Sequence, residues 1–175
     1  MPDANDIRDA IRDVVDFPRR GIVFKDITPL LADPDLHRAS IDMLVETAHG
    51  THIDKVVGID ARGFIYASAV ADRLGAGFIP VRKKGKLPWK THQTSYSLEY
   101  GEAVVEIHQD AIQPGENVLL VDDLLATGGT AAAAVRLLDE LGSNLVGLSF
   151  LIELGFLNAR SKLGDHPIHS IIRYD

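Results

Sequence analysis

The chain has 175 residues, of which 46% are hydrophobic and 25% charged, a length and composition that suit one globular domain with a real core. Its formal net charge of −7 works against general nucleic-acid binding, because such binding depends on a basic surface. The absence of cysteine excludes a disulfide framework and any cysteine-based metal site or nucleophile.

The N-terminal stretch carries no pattern of a secretion or membrane signal. Residues 1–6 are acidic, whereas a signal peptide begins with a basic segment followed by an apolar one. No apolar run in the chain reaches the length of about 18 residues that a membrane span needs. We therefore expect no membrane association and a cytoplasmic location.

The first quarter of the chain predicts two helices joined by an extended segment. Apolar residues at helical spacing favour an amphipathic helix over residues 6–15. Proline and glycine mark a turn over residues 16–21, and residues 22–29 form a short extended segment. The pair Asp33-Pro34 supplies a cap and a first-turn proline for a helix that we expect to end near residue 49.

From residue 55 onward, the chain alternates between strand and helix patterns, which predicts an α/β fold with a parallel sheet flanked by helices. A strand over residues 55–59 leads through a tight loop into a helix over residues 64–74, which ends at Gly75. Residues 87–94 show no periodicity. The other predicted elements are a strand over 78–81, extended segments over 96–100 and 103–108, a strand over 145–152, a short helix over 156–163 and a closing strand over 168–174.

The centre of the chain is residues 118–134, where four apolar residues of strand type are followed by two carboxylates, a small-residue loop and a run of alanines. This order predicts strand, loop and helix. The first turn of a helix leaves backbone N–H groups unpaired and carries the positive end of the helix dipole, so the loop suits an anion such as phosphate. The glycines at 128 and 129 let the backbone approach such a ligand closely.

The acidic pair Asp122 and Asp123 cannot serve the same phosphate, because like charges repel. Their natural partners are hydroxyl groups, a divalent cation or a positive reaction centre. A ligand with a phosphate at one end and a neighbouring diol satisfies both the loop and the acidic pair.

Two further segments carry positive charge suited to a small polyanion. Arg62 follows the first predicted strand, at the edge where open parallel sheets bind ligands, and its planar guanidinium matches phosphate oxygens. Residues 82–86 form a local basic cluster in an otherwise acidic chain. The seven histidines show no zinc-ligand spacing, so we assign no side chain as a direct metal ligand.

Residues 118–130 closely resemble the phosphoribosyl pyrophosphate (PRPP) motif of the phosphoribosyltransferases. Four more segments, in the same order as in that family, are similar to the branch that acts on adenine. They span residues 16–29, 58–64, 81–88 and 95–101. The resemblance covers nearly the whole chain.

The resemblance implies the type I phosphoribosyltransferase fold in a single domain over residues 1–175, with a small N-terminal hood over residues 1–34 and a mobile catalytic loop over residues 83–95. It implies a purine salvage reaction in which PRPP and adenine give AMP and pyrophosphate, with Mg²⁺ held mainly by the substrate and water. It also implies a homodimer with small-molecule substrates and no nucleic-acid or membrane partner.

The resemblance assigns the residues that face PRPP. Asp122 and Asp123 hold the ribose hydroxyls and face the positive charge that develops on the sugar. The 5′-phosphate is cradled by Ala126, Thr127, Gly128, Gly129 and Thr130. The pyrophosphate meets Arg62, Arg82 and Lys86, of which the last two can act across a dimer interface in the family.

The resemblance also assigns the residues that face the base. The main chain at Val23 and Lys25 reads the edge of adenine, and Phe24 stacks on the ring. Glu99 is the general acid or base at the imidazole edge of the purine.

Two other functions remain open at this point. A sister transferase for another base, such as xanthine, would share the phosphate loop and differ in the base pocket. A PRPP-sensing regulator would keep the fold without turnover, but it would need a DNA-binding extension or a basic face, and the sequence indicates neither.

Overall fold

The structure, a computed structural model, describes residues 1–98 and 100–175, and it divides into two units over residues 1–43 and 44–175. In the first unit, helix α1 (Ala4–Ala10) begins at Asp3, whose carboxylate accepts hydrogen bonds from two backbone N–H groups. Strands β1 (Arg12–Val15) and β2 (Val23–Asp26) pair as an antiparallel ribbon. Helix α2 (Thr28–Ala32) follows, and helix α3 (Pro34–Glu46) contains the boundary between the units.

The helix predicted over residues 6–15 is therefore wrong in its second half. Helix α1 ends at Ala10, and residues 12–15 form strand β1. The β-branched pair Val14 and Val15 fits a strand as well as a helix, and its partners Phe24 and Val23 lie beyond the turn, outside any local window. The extended segment predicted over residues 22–29 contains β2 and the first two residues of helix α2, which was not predicted.

The second unit is built on a seven-stranded sheet in the order β5-β6-β4-β3-β7-β8-β9. Strands β4, β3, β7, β8 and β9 are parallel neighbours, whereas β5 and β6 are antiparallel at one edge. The strand bounds are β3 Lys55–Ile59, β4 Gly77–Lys83, β5 Thr91–Ser97, β6 Glu102–His108, β7 Asn117–Leu125, β8 Asn144–Leu154 and β9 Ile168–Tyr174. The α/β class and the mostly parallel sheet predicted from the sequence are confirmed.

Two helices flank this sheet and connect its parallel strands. Helix α4 (Gly63–Leu74) packs on β3 and β7, while helix α5 (Gly129–Glu140) packs on β5 and β6. The central strand β7 is buried along most of its length, and Tyr66 and Phe150 are among the largest fully buried side chains. Burial of these apolar faces is the main force that fixes the carboxyl ends of the strands relative to one another.

Two predicted segments of the second unit also differ from the structure. Residues 87–94, predicted without regular structure, run into strand β5, which pairs with β6 from Thr91 to Ser97. The helix predicted over residues 156–163 is instead two 3₁₀ turns, Gly155–Leu157 and Ala159–Lys162. Residues 91–95 of the predicted catalytic loop thus belong to a paired strand, and the mobility of that loop stays a prediction.

Within the described residues, none of the helices combines the length and apolar character needed to cross a bilayer.

Candidate active site

The carboxyl ends of three adjacent parallel strands, β4, β3 and β7, meet at one edge of the sheet. This edge is where open α/β sheets bind ligands. A cleft of about 350 Å³ lies there, between the loop after β3 and the loop after β7. Its lining residues are Ile59 to Arg62, Asp122 to Gly128, Thr130 and Ala131.

The loop between β7 and α5 presents an uncapped helix N-terminus to this cleft. Gly128 precedes the helix in the left-handed conformation, with φ of +84°, and no side chain caps the first turn. Among the described residues, the backbone N–H groups of Thr127 and Gly128 have no protein acceptor. The structure therefore places the predicted phosphate loop in the cleft with donors available. Gly129 is not among the lining residues, and a Cβ placed on it would lie 3.3 Å from the ring of Tyr96.

The acidic pair lies on the last part of strand β7. Asp123 is buried, with 5% of its surface exposed, and its N–H donates to Asp122 Oδ1 at 2.9 Å. Burial and the negative charge of Asp123 raise the pKa of Asp122 above its usual range. The Asp122 carboxyl occupies the space where a Cβ on Gly63 would lie, so the first residue of helix α4 leaves room for it only as glycine.

Arg62 joins the loop after β3 to the acidic pair. Its Nε donates to Asp123 Oδ2 at 2.9 Å, and 40% of its side chain is exposed. The two residues meet because β3 and β7 are neighbouring parallel strands, and their register places Gly58 beside Val121, two residues before Asp123. The prediction that Arg62 meets a pyrophosphate stays a prediction, and in this structure its partner is a carboxylate of the acidic pair.

Arg82 is placed beside the same edge by strand β4. Its Nε donates to Asp60 Oδ2 at 3.1 Å, and Nη1 donates to the Lys86 carbonyl at 3.4 Å. The turn of the basic cluster is tied to strand β6, because the Gly85 N–H donates to the buried carboxylate of Glu106 at 3.2 Å. Arg62 and Arg82 are thus each paired with a carboxylate at this edge of the sheet. Lys86 contacts Arg82 through its backbone carbonyl.

The predicted base-binding residues lie on strand β2 of the first unit. Val23 is exposed, and the Phe24 ring meets the Phe17 ring edge to face at 5.2 Å between centroids. Lys25 Nζ pairs with Asp13 Oδ1 at 2.6 Å across the ribbon. The predicted acid or base Glu99 lies outside the described residues.

Sequence reasoning missed a cation that touches the phosphate loop. Lys162, on the second 3₁₀ turn, donates from Nζ to the Thr127 carbonyl at 2.7 Å. It follows the loop by 35 residues and belongs to no motif, so only the tertiary structure reveals it.

Contacts that the sequence did not indicate also tie strand β5 to helix α5. Arg136 Nη2 donates to the Ser95 carbonyl at 2.8 Å, and His92 Nδ1 lies 2.7 Å from Glu140 Oε1. His92, which had no role in the sequence interpretation, thus anchors β5 next to the helix that begins at the phosphate loop.

The donor set of the cleft bears on metal binding. In the part of the chain that the structure describes, no three histidine, aspartate or glutamate side chains converge to hold a metal ion. The carboxylates of Asp122 and Asp123 could share a hard cation with a substrate, since Mg²⁺ commonly keeps waters and phosphate oxygens as its other ligands.

Comparison with known proteins agrees with this geometry. The phosphoribosyl transferase domain matches residues 30–170. The adenine phosphoribosyltransferase of Acidothermus cellulolyticus is 60% identical over 93% of this chain and 92% of its own length. The crystal structure of adenine phosphoribosyltransferase from Rhodothermus marinus matches with a TM-score of 0.93 and 50% identity, covering 98% of each chain.

A third similar protein has a structure with ligands. Adenine phosphoribosyltransferase from Saccharomyces cerevisiae, complexed with adenine and D-2,5-dideoxy-2,5-imino-altritol 1,6-bisphosphate, matches with a TM-score of 0.91 and 41% identity. The match covers 96% of this chain and 97% of the yeast chain.

Proposed function

Because this chain belongs to the phosphoribosyl transferase family, we propose that it transfers the 5-phosphoribosyl group of PRPP to adenine, giving AMP and pyrophosphate. The observation that carries the proposal is one cleft with an uncapped helix N-terminus beside a pair of carboxylates. Adenine as the acceptor is supported by relatives of up to 60% identity that are named for it. The yeast relative also binds adenine together with a sugar-like bisphosphate.

The 5′-phosphate binds at residues 126–130. The N–H groups of the loop and of the first turn of α5 donate to its oxygens, and the positive end of the helix dipole lowers the energy of the anion. The hydroxyls of Thr127 and Thr130 can add donors, and both residues line the cleft. Binding energy at this remote phosphate fixes the position of the reacting carbon.

The ribose lies over Asp122 and Asp123. The carboxylates accept hydrogen bonds from the 2′- and 3′-hydroxyls and face the anomeric carbon, where positive charge develops as the bond to pyrophosphate breaks. Negative charge at this position stabilises the developing positive charge more strongly than it would in water, because Asp123 is nearly excluded from solvent. Burial and the charge of Asp123 raise the pKa of Asp122, and a bound cation or hydroxyl donor would lower it again by favouring the ionised carboxylate.

The pyrophosphate leaves toward Arg62, Arg82 and Lys86. Arg62 exchanges its contact with Asp123 for phosphate oxygens, which frees that carboxylate for the ribose. Arg82 is held in place by Asp60 and keeps exposed donors on its guanidinium. Mg²⁺, held mainly by the substrate and water, would neutralise part of the charge on the leaving pyrophosphate.

Adenine is bound by strand β2, and its imidazole nitrogen attacks the anomeric carbon as the bond from that carbon to pyrophosphate breaks. Backbone groups at Val23 and Lys25 match the acceptor and donor on the adenine edge, and Phe24 stacks on the ring. Glu99 accepts the proton that the nitrogen loses as the new bond to carbon forms. In the predicted catalytic loop over residues 83–95, residues 84–90 lie between strands β4 and β5, and these close over the site and exclude water, which would otherwise hydrolyse PRPP. Homodimer formation and a cytoplasmic location complete the proposal.

Steady-state assays with PRPP, Mg²⁺ and each of adenine, hypoxanthine, guanine, xanthine and orotate test the function. The proposal predicts AMP formation from adenine and pyrophosphate release in equal amounts. Turnover of xanthine alone would leave only the superfamily activity, and no turnover of any base would favour a PRPP-sensing regulator. Sedimentation velocity of the same preparation tests the homodimer, and a monomer at assay concentration would contradict it.

A further inference from the structure

The second 3₁₀ turn, Ala159–Lys162, packs against the phosphate loop (residues 126–130). A Cβ placed on Gly128 would lie 3.0 Å from both the Cβ and the carbonyl oxygen of Ala159, so the turn packs directly on the loop. Three residues further along, Lys162 Nζ donates to the Thr127 carbonyl at 2.7 Å. The loop is thus held from behind by both packing and a charge-assisted hydrogen bond.

This turn is itself anchored to the sheet by an ion pair between Arg160, whose side chain is partly exposed, and the buried carboxylate of Glu153. Arg160 donates from Nε and Nη2 to the two carboxylate oxygens of Glu153, at 2.8 and 2.7 Å. Glu153 is 2% exposed and also accepts a hydrogen bond from Ser170 Oγ at 2.6 Å. These hydrogen bonds, with Arg160 foremost, lower the pKa of Glu153. The turn that carries Lys162 is therefore held in a fixed position on the sheet.

The hydrogen bond from Lys162 determines the orientation of one peptide group. The Thr127–Gly128 peptide is planar and trans, so its C=O and N–H point in opposite directions. With the carbonyl held toward Lys162, the Gly128 N–H is directed away from it, and that N–H has no protein acceptor within the described residues. The ammonium also polarises the peptide, which makes the Gly128 N–H a stronger donor.

We propose that Lys162 is a positioning residue for the 5′-phosphate, acting through the Thr127–Gly128 peptide without contacting the ligand. The proposal rests on the proposed function, because it takes the loop as the phosphate site. Lys162 fixes the orientation of this peptide and adds positive electrostatic potential at the loop, whereas the backbone N–H groups of the loop contact the phosphate.

The test compares the binding of AMP and adenosine by calorimetry in the full-length protein. Lys162→Met keeps most of the side-chain volume and removes the donor, and we expect it to raise the Kd of AMP about tenfold while leaving that of adenosine unchanged. The KM for PRPP should rise similarly, with the KM for adenine unchanged. Lys162→Arg should restore most of the AMP affinity, since it returns a donor and a charge.

Lys55→Met is the matched control. Lys55 pairs with Glu116 at the amino end of β3, whereas the cleft lies at the carboxyl ends of the parallel strands. It should leave both affinities unchanged. Equal loss of AMP and adenosine affinity in Lys162→Met would overturn the proposal in favour of a general structural role, as would unchanged AMP affinity. A crystal structure of the AMP complex with Lys162 Nζ on a phosphate oxygen would also overturn it. Failure of the unmodified protein to bind AMP would instead refute the proposed function.

Discussion

Replacing Gly63 by alanine should damage the sugar site without unfolding the protein. A Cβ at this position would collide with Asp122 Oδ1, and the nearest other atom of that residue, Cγ, would lie at 3.2 Å. Gly63 has no left-handed backbone conformation, so alanine brings no backbone strain of its own. The carboxyl group of Asp122 must therefore move, and it would lose its hydrogen bond from the Asp123 N–H.

The magnitude follows from that displacement. Ordinary contact between a methyl carbon and an oxygen requires a shift of roughly 1 Å, and a misplacement of this size can lower activity about 100-fold. Stability should change little, because alanine is favoured over glycine in a helix by about 1 kcal/mol and the lost hydrogen bond costs about the same. We therefore expect kcat/KM for PRPP to fall about 100-fold, with a melting temperature close to that of the unmodified protein.

A double-mutant cycle isolates the cause. The assays are kcat/KM for PRPP and the Kd of AMP, measured for Gly63→Ala, Asp122→Ala and the double variant. Because Asp122→Ala removes the group that is displaced, Gly63→Ala should have almost no further effect on AMP binding in that background. An additive loss in the double variant, or near-normal activity of Gly63→Ala alone, would refute the reasoning.

Three other substitutions test separate parts of the structure. Asp26, whose pKa is lowered to about 2 by hydrogen bonds from Thr28 and Arg12, stabilises the fold above about pH 4 and loses this effect as the pH falls toward 2. Asp26→Asn should thus lower the free energy of unfolding by about 1 kcal/mol at pH 6 and by almost nothing at pH 2, and a pH-independent difference would contradict this assignment. Glu99→Gln should lower kcat far more than it weakens PRPP binding, and equal losses in the two quantities would argue against a role in proton transfer. Arg160→Met leaves the buried Glu153 carboxylate short of its main partner and should cost about 3 kcal/mol in denaturant unfolding, whereas a cost below about 1 kcal/mol would show that Arg173 replaces it.

The parts of the site that could be predicted from the sequence are those encoded within a few consecutive residues. Residues 118–134 carry strand, acidic pair, glycine loop and helix in one continuous pattern, and the structure places the acidic pair, residues 124–128 and the first turn of the helix at the cleft. The position of Arg62 followed from the rule that ligands bind at the carboxyl ends of parallel strands. Its partner Asp123 did not, because the pairing depends on the order of the strands in the sheet.

The parts that could not be predicted depend on contacts between distant residues. Strand β1 has a helical pattern in isolation and becomes a strand because it pairs with β2 beyond the turn. Strand β5 is polar and lacks clear alternation, and it forms because β6 supplies its hydrogen-bonding partners. Lys162 has no local signal at all, since its target carbonyl lies 35 residues away. Tertiary context outweighs local propensity in each case.

The most direct test of the whole account is a crystal structure of the protein with AMP. The account predicts the 5′-phosphate within hydrogen-bonding distance of the backbone N–H groups of residues 126–130, with the ribose hydroxyls on Asp122 and Asp123. A nucleotide bound elsewhere, or bound in this cleft with its phosphate away from that loop, would contradict it.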